Sequence, residues 1–150
     1  MDSLKHRLVR VCHNTLTQKI NELTIALQDV TEAGNNETKS TAGDKHETGR
    51  AMMQLEQEKL GKQLQDAEGQ LAEFEKMDFT RLHQTIALGS LIETNRGFFF
   101  IATSIGRIDV DGTIIFAISP QSPLGAVLIG KKQKDTAVFN GVSYEILSII

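Results

Sequence analysis

Asp44 and Glu47 stand three residues apart in "STAGDKHETGRAMMQ", residues 40–54, just where a long helical pattern begins. Carboxylates at i and i+3 of a helical turn share a face and can reach one ion. Hard oxygen ligands suit Mg²⁺, and two-metal hydrolysis of a phosphodiester needs a second ion about 4 Å from the first. A pair of acids supplied from outside would help a site that holds this second ion weakly. The same residues also make a helix start. An N-cap acid with Glu at N3 is a capping box in all but its first residue, and acids in a first turn complement the helix dipole. Spacing alone leaves both readings open. His46, between the acids, is a candidate ligand or proton carrier, set against a solvated histidine.

Positioning such a pair is the task of the elements around it. Leu4, Leu8 and Val11, then Leu16, Ile20, Leu23, Leu27 and Val30, recur at helical spacing, as do Met53, Leu60, Leu64, Ala67, Leu71 and Phe74. Both are narrow coiled-coil stripes without proline, predicting two helices that fold back antiparallel. Each arm of about 28 residues makes a rod of roughly 40 Å. The stretch "TEAGNNETKSTAGDKHE" between them has no large apolar residue and reads as a long, exposed polar turn. Met52 and Met53 read as adaptable packing near it.

The remainder is different in kind. "TIALGSLIET", "RGFFFIATS", "TIIFAIS", "TAVFN" and "VSYEILSII" are short, β-branched and aromatic, with turn signals at Asn95-Arg96-Gly97, Asp111-Gly112 and Asn140-Gly141. "SPQSPLGAVLIGKK" breaks that pattern: Ser122 suits an N-cap, Pro123 a first helical turn, and Gly130 a helix end. Phe98, Phe99 and Phe100 alternate across one strand, so two face a core and one is left for the surface. The fold class is α+β: an N-terminal antiparallel coiled-coil hairpin, then a bent antiparallel sheet with one short helix.

Charge and aromatic content place the boundary. Residues 1–80 hold 10 Lys and Arg against 14 Asp and Glu, residues 81–150 hold 6 against 5, and six of seven Phe lie beyond residue 78. The expected domains are a hairpin at 1–78, with an acidic tip at about 31–48, and a β-rich domain at 79–150. A net charge of −3 argues against duplex binding through phosphates. No apolar run is long enough for a membrane span and the start lacks a signal-peptide core, so a cytoplasmic protein is expected. Cys12, the single cysteine, is expected as a small buried thiol rather than a nucleophile.

Two segments carry a resemblance. "GDKHETGRAMMQLEQ" resembles the tip of the bacterial Gre-type transcript cleavage factors, Gly-Asp-x-x-Glu-Asn leading into a second coiled-coil helix. "ISPQSPLGAVLIGKKQKD" is similar to that family's C-terminal I-S-P-x-S-P-x-x-x-x-L-I-G-K-x-x-x-D signature. The resemblance implies an FKBP-like second domain and RNA polymerase as partner, with the RNA 3′ end met only through the polymerase. It implies docking at the rim of the secondary channel through Gln121, Ser122 and Pro123. The Lys131-Lys132-Lys134 cluster after the short helix reads as a solvated helix end favoured by the dipole, with contact of Lys131 to polymerase acids or the RNA 3′ end as the alternative. The resemblance also implies a hairpin that enters the channel and lends Asp44 and Glu47 to a Mg²⁺ shared with the polymerase. The chain is then a monomeric accessory factor with no cofactor of its own, and neither an enzyme nor a sequence-specific DNA binder.

Thr48 stands where cleaving members carry Asn, Gly49-Arg50-Ala51 replaces Ala-Glu-Tyr, and Ala126 replaces an Arg. The alternative reading is therefore a channel factor that inhibits or competes without cleaving. A peptidyl-prolyl isomerase, suggested by fold alone, lacks the aromatic-lined pocket such a site needs: there is no Trp and one Tyr.

Overall fold

The computed structural model describes the backbone of residues 3–39 and 44–150, and the side chains of residues 3–35 and 48–150. Two long helices come first, α1 (Leu4–Lys39) and α2 (Asp44–Glu75). Six strands follow, with a short helix α3 (Pro123–Leu128) among them: β1 (Leu91–Thr94), β2 (Gly97–Ile101), β3 (Gly106–Val110), β4 (Thr113–Ile118), β5 (Thr136–Phe139) and β6 (Val142–Ile149). The chain divides into two compact units, residues 1–14 with 72–150, and residues 15–71. No helix among the described residues is long and apolar enough to cross a membrane.

In the unit 15–71 the helices run antiparallel. Gln57 Nε2 donates to Thr31 Oγ1 at 3.2 Å, and a Cβ on Gly34 would sit 3.9 Å from Met53 Sδ. Moving three residues forward on α1 moves four back on α2. Leu16, Leu60 and Ala67 are buried, and Ile20, Leu23, Leu27 and Leu64 half-buried, as a two-helix seam requires. The long turn expected at 31–48 is mostly helix: α1 continues to Lys39 and α2 starts at Asp44. "TEAGNNETK" contains weak helix formers but no proline, and extending an existing helix costs only a fraction of a kcal/mol per such residue, about 1 for glycine.

In the other unit the strand order is β3-β4-β2-β1-β6-β5. Every adjacent pair is antiparallel except β2 with β4, which run parallel, with Phe99 beside Phe116. The sheet is mixed, where an all-antiparallel one was expected. The reason is β3, a strand the hydrophobic pattern did not reveal. "GRIDV" forms a hairpin with β4 on its outer side, so β4 returns alongside β2 in the same direction. Arg107 and Asp109 alternate with Ile108 and Val110, the charge pattern of an edge strand guarded against further pairing. The first strand is also shorter than expected. It begins at Leu91, and Thr85 makes only an isolated bridge to Lys132.

Both faces of this sheet are apolar. On one, Ile92, Phe99, Ile101, Ala137 and Ile146 pack with Ile86 and with Leu124, Val127 and Leu128 of α3. On the other, Leu91, Phe100, Ile108, Val110, Ile115 and Ala117 are buried. A ring ladder reaches that face from α2, with Phe74 to Phe79 at 4.9 Å and Phe79 to Phe100 at 5.5 Å. The first turns of α1 are tied down beside it. Lys5 Nζ donates to Ile150 O at 3.1 Å, Arg7 pairs with Asp111 at 2.6 Å, and Leu8 and Cys12 have no exposed surface. Residues 4–12 of α1 therefore serve the β domain as core.

Candidate functional site

The backbone puts Asp44 to Glu47 in the first turn of α2; the side chains of Asp44, His46 and Glu47 lie outside the described residues. Next to this turn, Thr48 and Arg50 are exposed. Arg50 lines a polar recess of about 170 Å³ between the helices, together with Thr31, Gly34, Asn35, Met53 and Gln54. The two methionines, expected to behave alike, diverge here. Met53 faces the recess, whereas Met52 is 66% exposed on another side of α2. One helical step rotates a side chain by about 100°, which moves Met52 off the seam.

The second candidate region is the turn into α3. Ser122 is its N-cap: Oγ accepts from Gly125 N at 3.1 Å and donates to Ser119 O at 2.6 Å. Ser119 Oγ accepts from Gln121 N at 2.9 Å and donates to Gln121 Oε1 at 2.8 Å. Gly125 closes the turn, because a Cβ there would stand 2.1 Å from Ser119 O. The segment thus presents Gln121 and Pro123 to solvent while the Ser122 hydroxyl points inward. Lys131 is half-buried, and its backbone belongs to the fold: its carbonyl accepts from Ile86 N at 2.8 Å and its N–H donates to Leu128 O at 3.1 Å. A groove of about 400 Å³ adjoins the turn, its lining including Pro120, Gln121, Glu73 and Leu88.

Groups with nucleophile chemistry elsewhere are structural. Burial pushes the Cys12 thiol up to about 12, so it stays protonated and inert. Ser90 Oγ meets His83 Nδ1 at 3.0 Å, a nucleophile–base distance, but Ser90 has no exposed surface and its oxygen also accepts from Ala87 N at 3.0 Å. It closes the turn before β1. Among the described residues, no group of three or more His, Cys, Asp and Glu could hold a metal ion.

The Phe98–Phe100 run divides as alternation demands. Phe99 and Phe100 are buried on opposite faces, and Phe98 is half-buried. The exposed ring that sequence reasoning missed is Phe116 on β4, at 43% exposure. Its register beside Phe99 and across from Arg107 depends on β3, so nothing local in "TIIFAIS" announces it.

No protein-family model matches the chain, and no curated protein matches it. Among solved structures, that of GreA factor homolog 1 (Gfh1) of Thermus thermophilus is similar over 92% of this chain and 94% of its own, at 16% identity and a TM-score of 0.36.

Proposed function

We propose that this chain is a secondary-channel factor of RNA polymerase. A docking domain at 79–150 grips the channel rim through Gln121, Pro123 and Lys131, and a hairpin at 1–78 carries Asp44 and Glu47 to the polymerase active site. The observation that carries this reading is the acid pair's position, at the first turn of the second helix of an antiparallel hairpin. The capped Ser119–Gly125 turn, which leaves Gln121 and Pro123 exposed, supports it from the other end of the sequence.

Two carboxylates are an incomplete ligand set for Mg²⁺, which fits an ion shared with a partner rather than one held alone. Such an ion would supply the activated water and stabilise the leaving oxygen of a phosphodiester. The part of this chain is to hold two acids on one helical face and so complete that site. The bond cleavage itself belongs to the polymerase, which makes the chain an accessory factor acting on backtracked RNA. The test is a purified, backtracked elongation complex with Mg²⁺. The wild-type chain should shorten the RNA, and Asp44→Asn with Glu47→Gln should bind without shortening it. Intact RNA with wild-type chain bound would overturn the cleavage step.

A second reading, a channel factor that blocks without cleaving, is favoured by Arg50. Arg50 follows Glu47 by three residues, a helical spacing at which a guanidinium competes with a cation for that acid. That reading gives inhibition of nucleotide addition and competition with cleaving factors, restored to cleavage by Arg50→Glu.

A further inference from the structure

One face of the sheet carries a stripe that the docking and tip residues do not use. From β3 inward it reads Arg107, Phe116, Phe99, Tyr144 and Arg96. Arg107 and Phe116 are cross-strand partners, and Phe116 lies beside Phe99 in the parallel pair. Ring centroids are 6.1 Å apart for Phe116 and Phe99, and 5.8 Å for Phe99 and Tyr144, the latter edge-on at 77°. Arg96 lies over the Tyr144 ring, 6.0 Å from its centroid, and its Nε donates to Ser143 O at 2.9 Å, which fixes the guanidinium plane. Phe99 is the buried floor; Phe116 and Tyr144 show surface on either side of it. Three rings thus lie between Arg107, across from Phe116 in the ladder, and the Arg96 guanidinium.

Charge is consistent with an anionic ligand here. Residues 1–14 and 72–150 carry ten Lys and Arg against nine Asp and Glu, and residues 15–71 carry six against ten. The acidic excess of the chain therefore lies wholly in the unit without the stripe. Arg107 is exposed and has no ion-pair partner among the described residues. Asp109 shares its face but is drawn to the β3–β4 turn, where its Oδ1 accepts from Gly112 N at 2.8 Å.

We propose that this stripe binds a short single-stranded nucleic acid, one base stacked on Phe116, another against Tyr144 and Arg96, and their phosphates held by Arg107 and Arg96. Rings at a sheet surface with arginines beside them are how sheets hold unpaired strands, and a duplex cannot offer its base faces to them. The assignment does not depend on the polymerase reading.

Fluorescence anisotropy with labelled hexanucleotides tests it, using RNA, DNA and a duplex of the same sequence on the intact chain. Single strands should bind and the duplex should not, and the RNA and DNA arms tell which sugar is accepted. Two phosphate contacts give a salt slope of about −1.4, so affinity should fall about sevenfold between 50 and 200 mM salt. Phe116→Ala should weaken binding roughly tenfold or more. Phe116→Leu, which keeps the apolar volume and the fold but removes the ring face, should weaken it similarly. Arg96→Gln with Arg107→Gln should flatten the salt dependence, and Val138→Ser, exposed on β5, should change nothing. Absence of binding at millimolar protein, equal binding of duplex, or wild-type affinity in Phe116→Leu would each overturn the assignment. So would Phe116→Leu losing polymerase affinity while keeping oligonucleotide affinity, since the face would then be a protein contact.

Discussion

Ser122 lies in the segment proposed to grip the polymerase, yet its hydroxyl makes two bonds inside its own domain. Ser122→Ala removes the acceptor for the buried Gly125 N–H and the donor to Ser119 O. Ser119 O keeps one donor, Ser122 N at 3.1 Å, so the carbonyl is not orphaned. The Gly125 amide is. Loss of an N-cap hydroxyl costs about 0.5–2 kcal/mol, and a buried amide left unpaired costs about 1–3. These describe the same event, so a net loss of about 1.5 kcal/mol is expected, or roughly 3–6 °C in melting temperature for a chain of this length. Ser122→Asp restores an acceptor at the cap and should recover most of it. Urea melts followed by circular dichroism measure the stability, and polymerase affinity is measured on the same preparations. Gln121→Ala and Pro123→Ala should do the reverse, weakening affinity with stability changed by less than about 0.5 kcal/mol. If Ser122→Ala melts like wild type, the cap is not an energetic element and the division between inward Ser122 and outward Gln121 fails.

Gly61 and Gly69 sit inside α2 with open space where a Cβ would go, so Gly61→Ala and Gly69→Ala should each stabilise by about 1 kcal/mol, additively, in the same melts. Cys12 should resist Ellman's reagent in the native state and react only at the rate of unfolding. Its folded pKa of about 12 lies above the ordinary thiol value of 9.0, so its contribution is complete below pH 9 and lost as pH rises toward 12; Cys12→Ala should flatten that decline in stability. Lys5 works with the opposite sign. Burial lowers its pKa against the pull of Asp78, so its ammonium is a burden that eases as pH rises toward 10.5, and Lys5→Met should remove that rise.

The helices and most strands were legible because their signals are local. A 3.6-residue stripe marks α1 and α2, while Asn95-Arg96-Gly97, Asp111-Gly112 and Asn140-Gly141 are turns in the structure, with Asp111 and Asn140 at positive φ. Ser122 and Pro123 started α3 as their chemistry dictates. What stayed hidden depended on neighbours distant in sequence. β3 is half charged because it is an edge, and that is known only once the sheet is assembled. The helical state of residues 31–39 depends on a helix already running into them, which a reading by composition treats as a loop. Phe116 became a surface ring through its pairing with β3 and β2. For the acid pair, sequence supplied position and spacing, and its metal-binding use rests on the resemblance.

Asp44 and Ser122 share a difficulty, because each stands where a helix begins and a truncation confuses loss of function with loss of a start signal. Conservative chemistry separates the two. Asn is as good a helix-start residue as Asp, and Gln serves as well as Glu at the third position of a capping box. Asp44→Asn and Glu47→Gln therefore give up only the charge, about 0.3–1 kcal/mol each of dipole stabilisation in a first turn. A neutral amide is a far poorer ligand for Mg²⁺ than a carboxylate. If the pair is a helix start alone, the double variant melts slightly lower and treats the elongation complex as wild type does. If the acids complete a metal site, the small change in melting accompanies a complete loss of RNA shortening at unchanged polymerase affinity. Arg50→Glu then moves the other way, since removing the competing cation and adding a carboxylate one turn on should raise the Mg²⁺-dependent rate.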